Sequence, residues 1–282
     1  MTTTRALLDD AHRRLGKAGV EAPRREARLL LEAASGLSRT RIMVEPDREI
    51  GADRAAEFEQ LLAERVARKP MAYIRGTQEF YGTDFAVGPG VLVPRPETEL
   101  LVDVALRRLA DMALDLRILD LGTGSGCLLL TLLHQLPRAT GLGVDISPEA
   151  LSWARRNLYS LELGHRASLE LGHWCRGITE RFDLIVANPP YIGTDDIAGL
   201  EPEVQRHEPR AALDGGPDGL LAYLEIAPDL GRVLAPGGTV LLECGSGQAG
   251  ALDALFVDHG FIVSRHRDLA GIERCLELTR SG

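Results

Sequence analysis

The chain has 282 residues, room for about two domains, and 45% of them are hydrophobic against 26% charged. That much apolar material excludes a disordered chain and a cross-link-dependent miniprotein. Residues 1–95 set 16 Arg and Lys against 14 Asp and Glu, whereas residues 96–282 set 16 against 27, a net of −11 that disfavours a basic face for a long nucleic acid.

In chain order, the first 70 residues predict helices. Leu7, Leu8, Ala11 and Leu15 keep helical spacing until Gly16 and Gly19. Pro23 opens a second segment with an Ala27, Leu30, Leu31, Ala34 stripe, stopped by Gly36. Arg41–Val44 reads as a short turn, and Asp53 as the N-cap of a helix carrying Phe58, Leu61, Leu62 and Val66. No signal segment or membrane-length apolar run is evident, so a cytoplasmic protein is expected. The four cysteines are spaced 48, 69 and 31 residues apart, with no CxxC pair and no matching His cluster, so buried or incidental thiols are expected rather than a metal site.

From Pro70 the pattern changes. Thr77–Gly82 and Phe85–Val93, punctuated by glycine and proline, predict a hairpin linker. A helix follows Pro96 to about Leu109. Strands are then expected at Arg117–Leu121, Thr140–Val144, Leu169–Leu171, Phe182–Ala187 and Thr239–Cys244. Phe261–Ser264 and Arg274–Leu278 could add two more. Helices lie between them at Cys127–Gln135, from near Pro148, and at Leu220–Val233. Apolar strands alternating with helices predict an α/β fold with a mostly parallel sheet covered on both faces. The domain division expected is 1–75 helical, 76–94 hairpin linker and 95–282 catalytic.

Three sites at predicted strand ends carry chemistry. Asp120-Leu121-Gly122-Thr123-Gly124-Ser125-Gly126 places three glycines on alternate positions, without the GxGxxG spacing that serves a pyrophosphate. Taken alone it could be an ordinary strand–helix turn. Asp145, ending the second strand, can accept both hydroxyls of a ribose, although an Asp there is often just a helix cap. Together they point to a nucleoside-containing ligand, and S-adenosylmethionine (SAM) fits better than NAD. The third site, Asn188-Pro189-Pro190-Tyr191, is a rigid loop whose prolines remove two N–H donors. Its acceptors, the Asn188 side-chain oxygen and the Pro189 carbonyl, suit an NH2 group whose lone pair is delocalised, and Tyr191 can stack on a flat substrate. Asn188 is one of only two asparagines; the other is Asn157.

The tetrapeptide resembles that of SAM-dependent methyltransferases acting on amide or exocyclic amino nitrogens. The chain as a whole is similar to the PrmC/HemK family, the methyltransferases of the catalytic glutamine in peptide-chain release factors. The resemblance rests on Glu79-Phe80-Tyr81-Gly82, Val93-Pro94-Arg95-Pro96-Glu97-Thr98-Glu99, the 120–126 loop, Asn188–Ile192 and Glu208-Pro209-Arg210-Ala211-Ala212-Leu213, with weaker agreement around Gly215-Gly216, Pro236-Gly237-Gly238 and Leu242-Glu243.

The resemblance implies a Rossmann-like, seven-stranded SAM-dependent methyltransferase fold behind a small helical-bundle domain for substrate recognition. It implies SAM contacts from Gly122, Thr123, Gly124, Ser125, Gly126, Asp145, Trp174 and Asn188. Where the family carries an acid before the aromatic, this chain has His173. Asn188, Pro189, Pro190 and Tyr191 are implied to hold the glutamine amide, with Asn188, Pro189 and Tyr191 as the catalytic set. Arg95, Glu97 and Thr98 are implied to line the methionine end of SAM or to brace the loop. The expected product besides N5-methylglutamine is S-adenosyl-L-homocysteine, with no metal, no membrane and no nucleic-acid substrate. A ribosomal-protein glutamine methyltransferase, and at greater distance an adenine N6 methyltransferase, remain alternatives at this level.

Overall fold

The computed structural model describes residues 2–109 and 115–280. The chain divides into two compact units: Met1–Thr77 together with Glu201–His207, and Gln78–Leu200 together with Glu208–Gly282.

In the first unit, α1 (Thr4–Lys17), α2 (Pro23–Ser35) and α4 (Ala52–Val66) pack around Leu15, Leu30, Leu31, Phe58 and Leu62, all fully or almost fully buried. Burying each of these large apolar side chains contributes on the order of 1.5–3 kcal/mol. Thr3 caps α1, accepting from the Ala6 N–H at 3.3 Å, and Pro23 starts α2 as expected. A minimal antiparallel pair, β1 (Thr2–Thr3) with β2 (Glu49–Ile50), is too short to leave a periodic signal. Three local expectations differ. Arg39–Val44 is a six-residue helix, α3, because Ser38 caps it, and Met71–Arg75 forms a further short helix, α5. The N-cap of α4 is Gly51 rather than Asp53, whose carboxylate sits in the first turn, where the helix dipole favours it.

Residues 201–207 join this unit although they lie far along the chain. Within them the helix Pro202–His207 (α9) presents Glu203, which pairs with Arg65 at 2.7 Å and with Arg68 at 2.6 Å. Arg65, almost fully buried, also meets Glu26 at 2.6 Å. A buried guanidinium needs such partners, and removing one would leave its charge uncompensated.

In the second unit, β3 (Thr77–Phe80) and β4 (Thr83–Ala86) form the anticipated hairpin, which begins at the border residue Thr77. Its two turn residues, Tyr81 and Gly82, both have positive φ, the conformation that matches the twist of a two-residue hairpin. Phe80 and Phe85 sink into the same core as Leu101, Val104 and Leu130, and the hairpin from Gln78 on belongs to the second unit.

After α6 (Glu99–Leu109) the chain alternates β5 (Arg117–Leu121), α7 (Cys127–Gln135), β6 (Thr140–Asp145), α8 (Pro148–Ser160), β7 (Ala167–Leu171) and β8 (Phe182–Ala187). Beyond α9 come α10 (Leu221–Val233), β9 (Leu234–Glu243), α11 (Ala249–Asp258), β10 (Ile262–Arg267) and β11 (Glu273–Thr279). The seven strands run in the order β10-β11-β9-β8-β5-β6-β7, and only β11 is antiparallel to its neighbours.

Both faces are covered. Leu119 and Leu121 of β5 enter one core and Ile118 the other, and β8 divides the same way between Ile185, Ala187 and Leu184, Val186. This is the near-continuous apolar strand that a two-faced parallel sheet requires. The sheet order reverses about β5, so the crevice at its carboxyl end is the expected ligand position.

Candidate active site

Strand register builds the site. Val144, Leu121, Ala187 and Leu242 pair across β6, β5, β8 and β9. One residue beyond that row stand Asp145, Gly122, Asn188 and Glu243. Four residues from distant parts of the sequence therefore meet at one sheet edge, beside a cavity of about 410 Å³.

The glycine loop leaves β5 through two backbone bonds to β6, from the Gly122 and Thr123 N–H groups to the Val144 carbonyl at 2.8 and 3.0 Å. Gly122, Gly124 and Gly126 all have positive φ, which disfavours any side chain. A Cβ at Gly122 would also stand 3.3 Å from the Trp174 ring. Trp174 itself adopts φ 49°, a strained setting for a bulky residue, and its indole N–H donates to Glu225 at 2.8 Å. His173 Nε2 stands 3.5 Å from the same Glu225 carboxylate.

Asp145 accepts from the Gly124 N–H on one oxygen and the Ser147 N–H on the other, each at 2.8 Å. A carboxylate offers about four lone-pair sites, so both oxygens keep capacity for a diol. Burial raises its pKa. Ser147, not Asp145, caps α8. Asp120, buried at the end of β5, accepts from the Thr123 hydroxyl at 2.6 Å, while its other oxygen has no hydrogen-bond partner among the described residues. Desolvation pushes it up to about 7, so this carboxyl is poised for a cationic or N–H donor.

In the third loop Asn188 Nδ2 donates to Thr98 Oγ1 at 3.0 Å, and no donor among the described residues engages its oxygen. Tyr191 donates its hydroxyl to Glu243 Oε1 at 3.1 Å, and Gln248 binds the Tyr191 carbonyl at 2.9 Å. Burial next to the Glu243 carboxyl pushes the Tyr191 phenol up, so it stays neutral.

Of the expected residues, Gly122, Thr123, Gly124, Ser125, Asp145, Trp174, Asn188 and Pro190 line the cavity. Gly126 is instead the N-cap of α7, against Leu130. Pro189 is a buried residue of the loop, and Tyr191 is turned to Glu243 and the core. Arg95 and Thr98 also face the cavity. Glu208, nearly buried, holds the Val93–Arg95 stretch by accepting from the Val93 N–H at 3.1 Å and from Arg95.

The sequence reading misses Val91, Leu92 and Glu225 as cavity residues, and it includes Asp120 in the glycine-loop motif without giving it a contact. Asp120 was the legible one, an acid in an otherwise apolar strand. Cys127 lines the cavity too, but burial pushes its thiol up to about 12 and leaves it a poor nucleophile.

These residues fit SAM. A bare glycine backbone, a carboxylate with spare lone pairs, an unpaired buried acid and an aromatic wall match a nucleoside joined to an amino-acid end. Fold and site define a class, the SAM-dependent methyltransferases of doubly wound α/β type.

Comparison with known proteins agrees. The family model described as the PrmC N-terminal domain matches residues 6–76, and the methyltransferase small domain model matches residues 97–199. A release factor glutamine methyltransferase of Caulobacter vibrioides is 49% identical over 86% of this chain and 84% of its own length. Another, of Agrobacterium fabrum, is 41% identical over 99% of this chain and 98% of that protein. The crystal structure of a ribosomal protein L11 methylase from Lactobacillus delbrueckii subsp. bulgaricus shares the fold, with TM-score 0.51 and 22% identity over 73% of this chain and 90% of that one. The chain belongs to the release factor glutamine methyltransferase family.

Proposed function

We propose that the chain methylates the side-chain amide nitrogen, N5, of the glutamine in the GGQ motif of class 1 peptide-chain release factors, with SAM as donor and S-adenosyl-L-homocysteine as by-product. The observation that carries this reading is the Asn188 amide, whose nitrogen is tied to Thr98 while its oxygen is left to the cavity. Bound SAM supplies an electrophilic methyl group on a sulfonium.

The chain's own residues do the rest. Asp145 takes the ribose hydroxyls, the 122–126 backbone lies against the nucleoside, Trp174 walls the adenine end, and Asp120 receives the ammonium. Asn188 Oδ1 and the Pro189 carbonyl accept the two hydrogens of the glutamine amide. That grip orients the nitrogen, favours pyramidal geometry and stabilises the charge that develops as the new N–C bond forms. No base strong enough to deprotonate an amide beforehand is needed, because the nitrogen turns cationic as it is methylated and then loses its proton to water. Pro190 and the Tyr191 anchor on Glu243 keep the loop rigid. The protein partner is the release factor, no nucleic acid is a substrate, and the place of action is the cytoplasm, where release factors work.

Methyl transfer from labelled SAM, measured in parallel on release factor, ribosomal protein and DNA, tests the reading. Label in the release factor alone supports it, and label in either of the others without release factor overturns it.

A further inference from the structure

An asparagine side chain has two ends of nearly equal shape, an acceptor oxygen and a donor NH2. Only the oxygen end suits an incoming amide NH2; the donor end would repel it. The device that selects between them lies behind the loop. Asn188 Nδ2 donates to Thr98 Oγ1 at 3.0 Å. A hydroxyl that accepts this bond sends its own proton elsewhere, and Thr98 is only 2% exposed. Its neighbour is the Glu243 carboxyl, fully buried at the end of β9, whose ionised form is favoured by the hydroxyls of both Thr98 and Tyr191. Glu243 Oε1 accepts from Tyr191, while Oε2 is buried with no partner of full hydrogen-bond geometry among the described residues. In the proposed reaction this acid serves only to anchor Tyr191 through Oε1.

We propose that Glu243 is a positioning residue that sets the polarity of the Asn188 amide through Thr98. In this relay the carboxylate accepts a hydrogen bond from the Thr98 hydroxyl, which keeps its proton; the Thr98 oxygen is left as an acceptor, and the Asn188 NH2 turns towards it, so the Asn188 oxygen faces the cavity. The catalytic meaning of this relay rests on the reading that Asn188 holds the substrate amide.

Protonation reverses the chain of bonds. A neutral Glu243 donates to Thr98, Thr98 donates to Asn188 Oδ1, and the NH2 end faces the cavity. Burial pushes Glu243 up to about 7, so the reversal falls near neutral pH. Arg274 opposes that rise and Glu97 adds to it. The remaining titratable groups that feel Glu243 are Tyr191, Tyr223, Cys127, Cys244 and Cys275, all pushed upward by burial and neutral through this range.

The chain's two asparagines make a direct test possible. Selective 15N labelling of asparagine gives two side-chain amide pairs, with Asn157 as internal control and Asn188→Ala to assign the other. In the wild-type protein the Asn188 pair is expected to titrate near pH 7, and in Glu243→Gln and Thr98→Val it is expected to stop doing so. Thr98→Ser, which keeps the hydroxyl, should restore the titration. In release-factor methylation, Glu243→Gln should lower kcat by about tenfold or more and lose its pH dependence near neutrality, with SAM affinity within about threefold of wild type.

An Asn188 pair that stays silent from pH ~5.5 to ~8.5 in the wild type, or a Glu243→Gln variant with wild-type kcat and pH profile, overturns the relay. If Glu243→Gln fails to fold, the contrast between Thr98→Val and Thr98→Ser decides by the same readouts. An Asn188 titration in a protein that methylates no release factor would sink the proposed function and leave the relay standing.

Discussion

The chain spends its two asparagines in opposite ways. Asn157, on α8, is almost fully buried and uses both ends of its amide: Nδ2 donates to the Ala86 and Ser125 carbonyls at 3.0 and 2.8 Å, and Oδ1 accepts from the Ala86 N–H at 2.7 Å. It staples the hairpin strand β4 to the glycine loop. Asn188 uses only its donor end, and its acceptor end borders a cavity. A satisfied amide stabilises the fold. A half-satisfied one, held rigid, is available for chemistry.

The largest effect is expected where that difference is erased at the open site. Asn188→Ala should lower turnover by about 10²–10³, the usual consequence of removing one preorganised polar contact to a developing charge. SAM affinity, measured by calorimetry, should stay within about threefold. Turnover within a few-fold of wild type would remove Asn188 from the chemistry.

Asn157→Ala should do the converse. It strands the Ala86 backbone groups and the Ser125 carbonyl, and should lower unfolding free energy by about 2–4 kcal/mol in a denaturant titration, with turnover of the folded fraction largely kept. A loss of turnover with unchanged stability would mean that the two asparagines share a role.

Asp145→Ala tests the glycine loop, since Asp145 braces the Gly124 N–H as well as facing the cavity. SAM binding should weaken about 10–100-fold, with a smaller loss of stability. Equal binding in wild type and variant would exclude the ribose contact.

The smallest effect is a pH slope. Asp120 and Glu243 both have folded-state values near 7, raised by burial above their ordinary 3.8 and 4.5. Each raised acid favours folding in its protonated form. That contribution is fully present below pH about 4, declines as pH rises, and is lost once pH passes about 7. Thermal unfolding should therefore fall by a few degrees between pH ~6 and ~8, and Glu243→Gln should flatten part of that fall. A midpoint that rises over this interval contradicts the burial of these two acids.

Much of the second unit was legible because its signals are local. β5, β8 and the start of α7 coincide with the apolar runs that predict them, since strands buried on both faces must be apolar throughout. β9 begins at Leu234, five residues earlier than Thr239, because pairing with Phe182 rather than composition extends it. The glycine loop and the Asn188 loop were found by residue type and position at strand ends. Glu225 and the Val91–Leu92 wall were not, because only the fold brings them to the same crevice. The segment 201–207 was least legible, since its place is decided by Arg65 and Arg68, more than 130 positions away.

The sequence by itself determined the alternation of strand and helix, the glycines that need positive φ, and an acceptor-rich loop built from Asn188 and two prolines. Those properties belong to single segments, and short-range sterics and burial pattern enforce them. Which end of the Asn188 amide faces the cavity is a different kind of fact. It depends on Thr98, ninety positions before it, and on Glu243, which feels that hydroxyl from the end of another strand. Hydrogen-bond polarity passes only between groups in contact, so the tertiary structure alone could decide it.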